Sequence, residues 1–481
     1  MNPYSTSGHR RYCRLFPPGT RPARDSAAWK DYVQATKDLS DCMVDDFQPI
    51  CDCKPDVRIP GGFTYFGQLV DHDTTKDQSK FEELWETPAQ QLLNAHSSFL
   101  DLDVLYGRGP KSRTDCCLYE DGRFKVGDKV EPIGGGADAI SFDIAVGEDG
   151  QPLAADDRTA ENIIQRQLVA AFARLHNAAV DQFEEEGCRP EELFRKARLQ
   201  VTWQYQWLVR GDYLGRVLDP QVYDEVFLHG RTQFVWPAFS IPIEFAAAAF
   251  RFGHSMVREQ YLLSSDTEAT LKEIMLRSCK PGALEAEWRI DWGRFFSGAG
   301  QHAAITAMPI DTKIADTLHH IPRAVADRFD IGFFARGSEP VNLPHTSLQR
   351  GCLLELPSGQ AAARALGHPA LTQSELTCDC SEQITDQGRI LRKGALTDAT
   401  PLWYYLLKES EVRCNGNRLG PTGSRIVAET LYSALLADPN SILNHCGAGS
   451  RPPTWTFLGH QEQFTSVAAL FAAIGGCLGR D

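Results

Sequence analysis

The sequence predicts a mainly α-helical protein, and three observations carry that reading. Apolar residues recur at helical spacing in several long segments, prolines stand where those segments begin, and the strict apolar–polar alternation of a half-buried strand is scarce. Residues 1 to about 57 read as an irregular N-terminal arm, with Pro17-Pro18-Gly19, scattered charges and no sustained period. Residues 58–481 read as the body. Phe63–Thr75 is its first helix, with Phe66, Leu69 and Val70 on an apolar side and Gln68, Asp71 and His72 together on another. Gly134-Gly135-Gly136 and the stretch from Glu148 to Asp157 mark a long connection. A helix in the stretch Ala154–Leu168 and beyond gathers Ile164, Leu168, Ala171, Phe172 and Leu175 into one stripe, with Glu161 inside it. Pro190 opens a helix carrying Phe194, Ala197, Val201, Tyr205 and Leu208. Another helix starts near Pro242 and runs through His254, and two more cover Pro401–Lys408 and Ser424–Ala437, the last stopped before Pro439. No internal repeat or low-complexity tract interrupts the pattern.

Composition narrows the function classes. The 481 residues are 42% hydrophobic, enough for a sizeable core, and the net charge of −14 argues against nucleic acid or an anionic membrane surface as a main partner. No apolar run reaches the roughly 18 residues that span a bilayer. Met1–Pro22 lacks the apolar centre of a signal peptide, so the expected location is the cytoplasm, or the exterior without a visible signal. Fourteen cysteines leave room for a few disulfides, but Cys51-Asp52-Cys53, Cys116-Cys117 and Cys378-Asp379-Cys380 are too tightly spaced for ordinary zinc knuckles.

Four stretches carry chemistry-bearing residues in unusual places. In the first helix Asp73 falls among apolar neighbours, where an unpaired carboxylate is costly and calls for a cation or strong donors. In Asn94–Gly107, oxygen-bearing side chains stand at Ser97, Asp101 and Asp103, with the Phe99 carbonyl between them. That alternation lets a loop wrap a hard cation, and calcium would answer both puzzles at once. In the third stretch Arg158 precedes Glu161, an acid pointing into an apolar stripe. In the fourth, Gly253 next to His254 costs roughly 1 kcal/mol in mid-helix relative to alanine. A flat group packed against the backbone there would explain it. Each stretch also has an ordinary reading: a satisfied core histidine, a solvated acidic turn, or a surface ion pair.

Together these stretches resemble the animal-type haem peroxidases, the peroxidase–cyclooxygenase superfamily, in a form similar to its bacterial members. The marks are Gly-Gln-Leu-Val-Asp-His-Asp (67–73), Ser-x-Phe-x-Asp-x-Asp (97–103), Asp-x-Arg-x-x-Glu (156–161) and Phe-Arg-Phe-Gly-His (250–254). Leu-Gln-Arg-Gly (348–351), Leu-Pro-Ser-Gly-Gln (356–360) and Asn-Gly-Asn-Arg-Leu-Gly-Pro (415–421) follow in the family's order. The resemblance implies a helical fold around a central haem b and a haem peroxidase domain over 58–481. It makes His254 the proximal iron ligand, His72 the distal base, Arg158 the distal arginine and Gln68 a distal-pocket residue. Arg251 pairs with a haem propionate, Asp71 and Glu161 form ester links to haem methyl groups, and Asp73, Ser97, Phe99 (main chain), Asp101 and Asp103 bind Ca2+.

The implied activity reduces hydrogen peroxide and oxidises small phenolic or aromatic donors, or halide and pseudohalide ions, as in a response to oxidative stress. Peroxide cleavage requires a proton to move between its two oxygens, which suits a neutral imidazole near pH 7. A permanently charged arginine steadies the developing anion. Three departures qualify the likeness. Ser347 stands where the family has an asparagine that accepts the proximal histidine's N–H. Asn162 follows Glu161, so the methionine–haem link of myeloperoxidase is absent. Arg251 occupies the position of the cyclooxygenase radical tyrosine. Two alternatives remain, a fatty-acid dioxygenase-type oxygenase and a non-catalytic haem- and calcium-binding adhesion or scaffold module.

Overall fold

Helix formation begins inside the segment that reads as irregular. In the computed structural model, which describes residues 11–45, 59–128, 141–230, 232–236, 238–296, 305–329, 331, 340–446, 451–457 and 460–476, residues Ala27–Asp41 form helix α1. Ser26 caps it by accepting from the Trp29 N–H at 3.1 Å. Its buried stripe contains Thr36 and Ser40, which disguise the apolar period. Their hydroxyls are satisfied within the helix, Thr36 donating to the Tyr32 carbonyl at 2.9 Å and Ser40 to that of Lys37 at 2.8 Å. The expected irregular arm is therefore corrected for 27–41; residues 1–10 and 46–58 lie outside the described residues, as do Gly134–Gly136.

Helix α2, Gly62–Thr74, is the central element. Every one of its residues is buried except Gln68 and Asp71, which stay partly open. Phe66, fully enclosed, meets the rings of Phe172, Tyr205 and Tyr213 at 6.5, 6.2 and 5.8 Å, and burying such a ring contributes about 2–3 kcal/mol. Helix α3, Ile163–Glu185, packs against α2 and forms a hairpin with α4, Pro190–Leu208. The chain continues from α4 into one π-helical turn, Val209–Tyr213, which delivers Tyr213 back onto α2. Gly67 is glycine for this reason: a Cβ there would stand 2.3 Å from the Tyr213 hydroxyl.

The expected continuous helix through His254 is broken. Helix α5 covers only Ile243–Ala247, Ala248 departs from helical geometry (φ −141°, ψ −66°), and a 3-10 segment, Ala249–His254, follows. The expected helix through Glu161 is broken as well. A 3-10 turn ends at Ala160, and Asn162 restarts the chain by capping α3, its side chain accepting from the Gln165 N–H at 2.8 Å. Both breaks come from local backbone choices that a helical wheel cannot show. Helices α6 (Leu343–Leu353), α7 (Leu402–Cys414) and α8 (Pro421–Ala437) complete the frame, with α6 packed on α1 and α7. The strands among the described residues are three antiparallel pairs: Tyr119–Glu120 with Arg123–Phe124, Gln260–Leu262 with Glu268–Thr270, and Thr454–Phe457 with His460–Gln463. Ten described cysteines are free thiols, so the disulfides that fourteen cysteines allow are not formed by these ten. No described helix is long and apolar enough to cross a membrane.

Candidate active site

The two breaks and the partly open face of α2 surround one cavity of about 310 Å³. Gln68, Asp71, His72, Arg158, Glu161, Arg251, His254 and Ser347 all line it, although they come from positions as far apart as 68 and 347. The cavity therefore gathers the two histidines, both arginines and both acids singled out above.

On the α2 side, the His72 ring is buried. Its Nδ1 has no hydrogen-bond partner, and its Nε2 stands 3.5 Å from a Glu161 carboxylate oxygen. Burial first, then the Arg158 charge, hold His72 well below the ordinary histidine pKa, so the ring is neutral near pH 7. Gln68 donates to Glu161 at 3.4 Å and accepts from Asn162 at 3.1 Å, tying α2 to the turn before α3. Burial raises Glu161 to about 7 against the lowering charge of Arg158, and also raises Asp71, which accepts from the Thr75 hydroxyl at 3.1 Å.

A stability measurement isolates the His72 environment. A histidine whose folded pKa is depressed contributes stability that is complete above its unfolded pKa of about 6.5 and falls as the pH drops. The haem-free wild-type chain, compared with His72→Leu by urea unfolding, is expected to lose relative stability below about pH 6.5, by up to about 1.4 kcal/mol per pH unit. A pH-independent difference would contradict the buried, neutral ring.

Arg158 is held differently from a free charge in a pocket. Its Nε and one Nη2 hydrogen go to Asp156 at 3.1 and 2.8 Å. Nη1 donates to the Thr75 carbonyl at 2.9 Å, and Nη2 to that of His72 at 3.0 Å. The guanidinium thus clamps the C-terminal end of α2, and of its five N–H groups one on Nη1 remains uncommitted.

At the 3-10 segment, His254 has an Nδ1 without a partner, and burial followed by the Arg251 charge pushes its pKa down to about 3. The Trp403 ring lies edge-to-face at 6.1 Å and donates its N–H to the Arg251 carbonyl at 3.1 Å. No hydrogen bond joins the His254 Nδ1 to Ser347, which stands where the family has its asparagine. Ser347 is buried and lines the cavity, but serine carries its oxygen one bond closer to the backbone than asparagine does, and it does not reach. A Cβ on Gly253 would meet nothing within 4 Å, so this glycine keeps open space beside the histidine. Arg251 donates to the Ala246 carbonyl at 3.0 Å, and Arg350, paired with Asp77, brings a third guanidinium to the same cavity, after Arg158 and Arg251.

Next to the cavity, carboxylate oxygens of Asp73, Asp101 and Asp103 lie within 4.8 Å of one another. Both Asp73 oxygens are buried without a hydrogen-bond partner, and burial followed by the Asp101 and Asp103 charges raises its pKa far above the usual range. Leu102, between the two loop acids, adopts a left-handed backbone (φ 55°). Such strain in a branched residue costs about 1–3 kcal/mol and clusters at functional sites. Ser97 donates its hydroxyl to Asp101 at 2.8 Å and its N–H to Asp103 at 2.9 Å, and the Phe99 N–H donates back to the Ser97 hydroxyl at 3.2 Å. The five positions expected to share a cation are thus in one loop and the adjoining helix.

Residues 74–432 match the animal haem peroxidase family. The chain belongs to that family. The matched range contains Arg158, Glu161 and His254 and starts two residues after His72. The fold agrees with solved structures of the wider superfamily. Peroxidase A from Dictyostelium discoideum superposes with a TM-score of 0.59 at 17% identity, covering 89% of this chain and 88% of that one. A fatty acid alpha-dioxygenase from Arabidopsis thaliana gives 0.58 at 14% identity, covering 88% and 71%. A "peroxidase-like protein" of Margaritifera margaritifera is 29% identical over 185 residues, which is 34% of this chain and only 22% of that protein. The helical architecture agrees with that family, whose members are haem-dependent oxidoreductases.

Four cavity or network residues carry no signal of their role in the sequence. Asp156 falls within a motif that names no partner for it, and His96 sits unremarkably between Asn94 and Ser97. Tyr213 and Trp403 look like ordinary core aromatics. Apart from His96 with Asp103 and Asp156 with Arg158, the contacts that give them meaning join residues 60 or more positions apart.

Proposed function

We propose that this chain is a haem peroxidase in which His254 holds the iron and His72 moves the proton. The observation that carries the reading is the pair of buried, neutral imidazoles lining one cavity, each with a ring nitrogen that no protein group satisfies. The residues fit the cofactor. A neutral imidazole is the form that ligates a metal, the space beside Gly253 suits a flat group, and Arg251 and Arg350 supply cations for propionates. Bound haem supplies the iron on which the peroxide O–O bond is cleaved and through which a donor's electrons return. His72, through Nε2, takes the proton from one peroxide oxygen and gives it to the other. Arg158 adds positive charge and one uncommitted N–H to the cavity, favouring the departing oxygen. Asp71 and Glu161 are the acids for ester attachment. Asp73, Asp101 and Asp103, with Ser97 and the Phe99 carbonyl, hold Ca2+ and anchor the end of α2 that carries His72.

An optical spectrum of the haem-loaded protein tests this. Peroxide is expected to shift the Soret band, and a guaiacol-type donor to restore it while being oxidised. A Soret band that peroxide leaves unchanged, with no dye oxidation, contradicts the proposal and favours the binding-module reading. Acidified solvent extraction of the same sample is expected to leave haem on the polypeptide, and complete release of free haem b would show that no ester had formed.

A second reading has its own observation. Val257, Leu271, Met275, Leu318, Ile321 and Phe329 give the cavity an apolar side, and Tyr65 and Tyr213 line it as well. Such a wall suits an acyl chain, and fatty acid alpha-dioxygenases are among the structural neighbours. Oxygen uptake on adding a long-chain fatty acid, without peroxide-dependent dye oxidation, would favour this reading over the first.

A further inference from the structure

Between the acidic cluster and the cavity stands one side chain to which no role has been assigned. His96 is buried, and both its ring nitrogens meet carboxylates: Nδ1 lies 2.5 Å from an oxygen of Asp103, and Nε2 lies 2.5 Å from an oxygen of Asp156. Neither nitrogen is free to bind a metal. At one end, Asp103 belongs to the cluster whose third member, Asp73, is fully buried with both oxygens unpartnered. At the other end, Asp156 receives the Arg158 guanidinium at 2.8 and 3.1 Å, the Arg158 backbone N–H at 2.9 Å and the Lys76 ammonium at 3.2 Å. Arg158 in turn holds the carbonyl of His72 itself. An unbroken series of contacts therefore runs from the cluster through Asp103, His96, Asp156 and Arg158 to the main chain of the cavity histidine.

Asp103 is the shared element. Its Oδ1 faces His96 and its Oδ2 accepts from the Ser97 N–H, so a cation can draw on this carboxylate only in an orientation that His96 already restrains. A ring clamped at both ends by charge-assisted bonds passes a change at one carboxylate to the other, because it has no slack to absorb it. We propose that His96 is a positioning residue that couples cation occupancy of the Asp73–Asp101–Asp103 cluster to the placement of the Arg158 guanidinium beside the cavity. This coupling rests on the calcium and haem readings above.

The test uses the full haem-loaded ferric chain, calcium as the cation and cyanide as a probe of the cavity. In the wild type, chelating calcium is expected to weaken cyanide binding about tenfold, and by reciprocity cyanide tightens calcium by the same factor. In His96→Leu the cyanide affinity is expected to be equal with and without calcium, within about twofold, while calorimetry still detects calcium binding. His96→Gln fills the same space and can donate to only one of the two carboxylates at a time, so it should lose the coupling in the same way even if the leucine variant folds poorly. Retention of the wild-type calcium effect in either folded variant overturns the proposal. So does a wild type that binds calcium but whose cyanide affinity ignores it, and that result leaves the cation reading standing. A wild type that takes up no calcium overturns the cation reading and the coupling together.

Discussion

Replacing His72 by alanine is expected to slow the peroxide-induced Soret change about 10²- to 10⁴-fold while haem stays bound. Haem retention is expected because the proposed iron ligand, His254, sits on a separate segment, the 3-10 turn 249–254. The rate loss is expected because the other neutral imidazole lining the cavity, His254, is the proposed iron ligand, and Gln68, the nearest substitute on the same face of α2, cannot accept and return a proton near pH 7. Stopped-flow mixing of the ferric protein with hydrogen peroxide measures this directly. A variant that reacts within a few-fold of the wild type would remove His72 from the proton path.

The second large effect concerns the acidic cluster. Calcium at about 1,000 times its Kd is expected to raise the unfolding free energy by about 4 kcal/mol, and Asp73→Ala should abolish that gain. Without calcium the order should invert, the variant being at least as stable as the wild type. The cause is that the wild-type chain then keeps a buried carboxylate with no donor, facing two more acids within 4.8 Å. Its pH dependence follows from the same geometry. Burial and the neighbouring Asp103 charge raise Asp101 to about 7, and Asp73 is raised as well, so the calcium-free native state binds more protons than the unfolded chain above about pH 4. Stability of that form therefore falls as the pH rises from about 4 to 7. Urea unfolding with calcium and with chelator measures both effects, and a wild type indifferent to calcium would dismiss the site.

Segments whose chemistry is local are legible in the sequence. Helices α3, α4, α7 and α8 follow from apolar spacing, with Pro190 and Pro401 at two of the starts, although α8 begins at Pro421 rather than at the expected Ser424, and the loop 97–103 announces its acids by their alternation. Helix α1 is not legible, because Thr36 and Ser40 interrupt its apolar stripe and are satisfied by carbonyls of the same helix. The breaks at Ala248 and Glu161–Asn162 are not legible either. On a wheel both segments continue as helices, and the cavity those breaks admit is visible only in three dimensions.

By itself, then, the order of residues picked out the candidate side chains for the chemistry: two histidines, two arginines and a set of acids in apolar surroundings. It did so because residue type, formal charge and helical period are properties of short stretches. Tertiary structure alone decided that positions 68 to 347 share one cavity, that Ser347 falls short of His254, that Arg158 spends two of its donors on the end of α2, and that His96 joins two acids 53 positions apart. Those are distances between segments remote in the chain, and they are set by how helices pack rather than by what any one segment prefers.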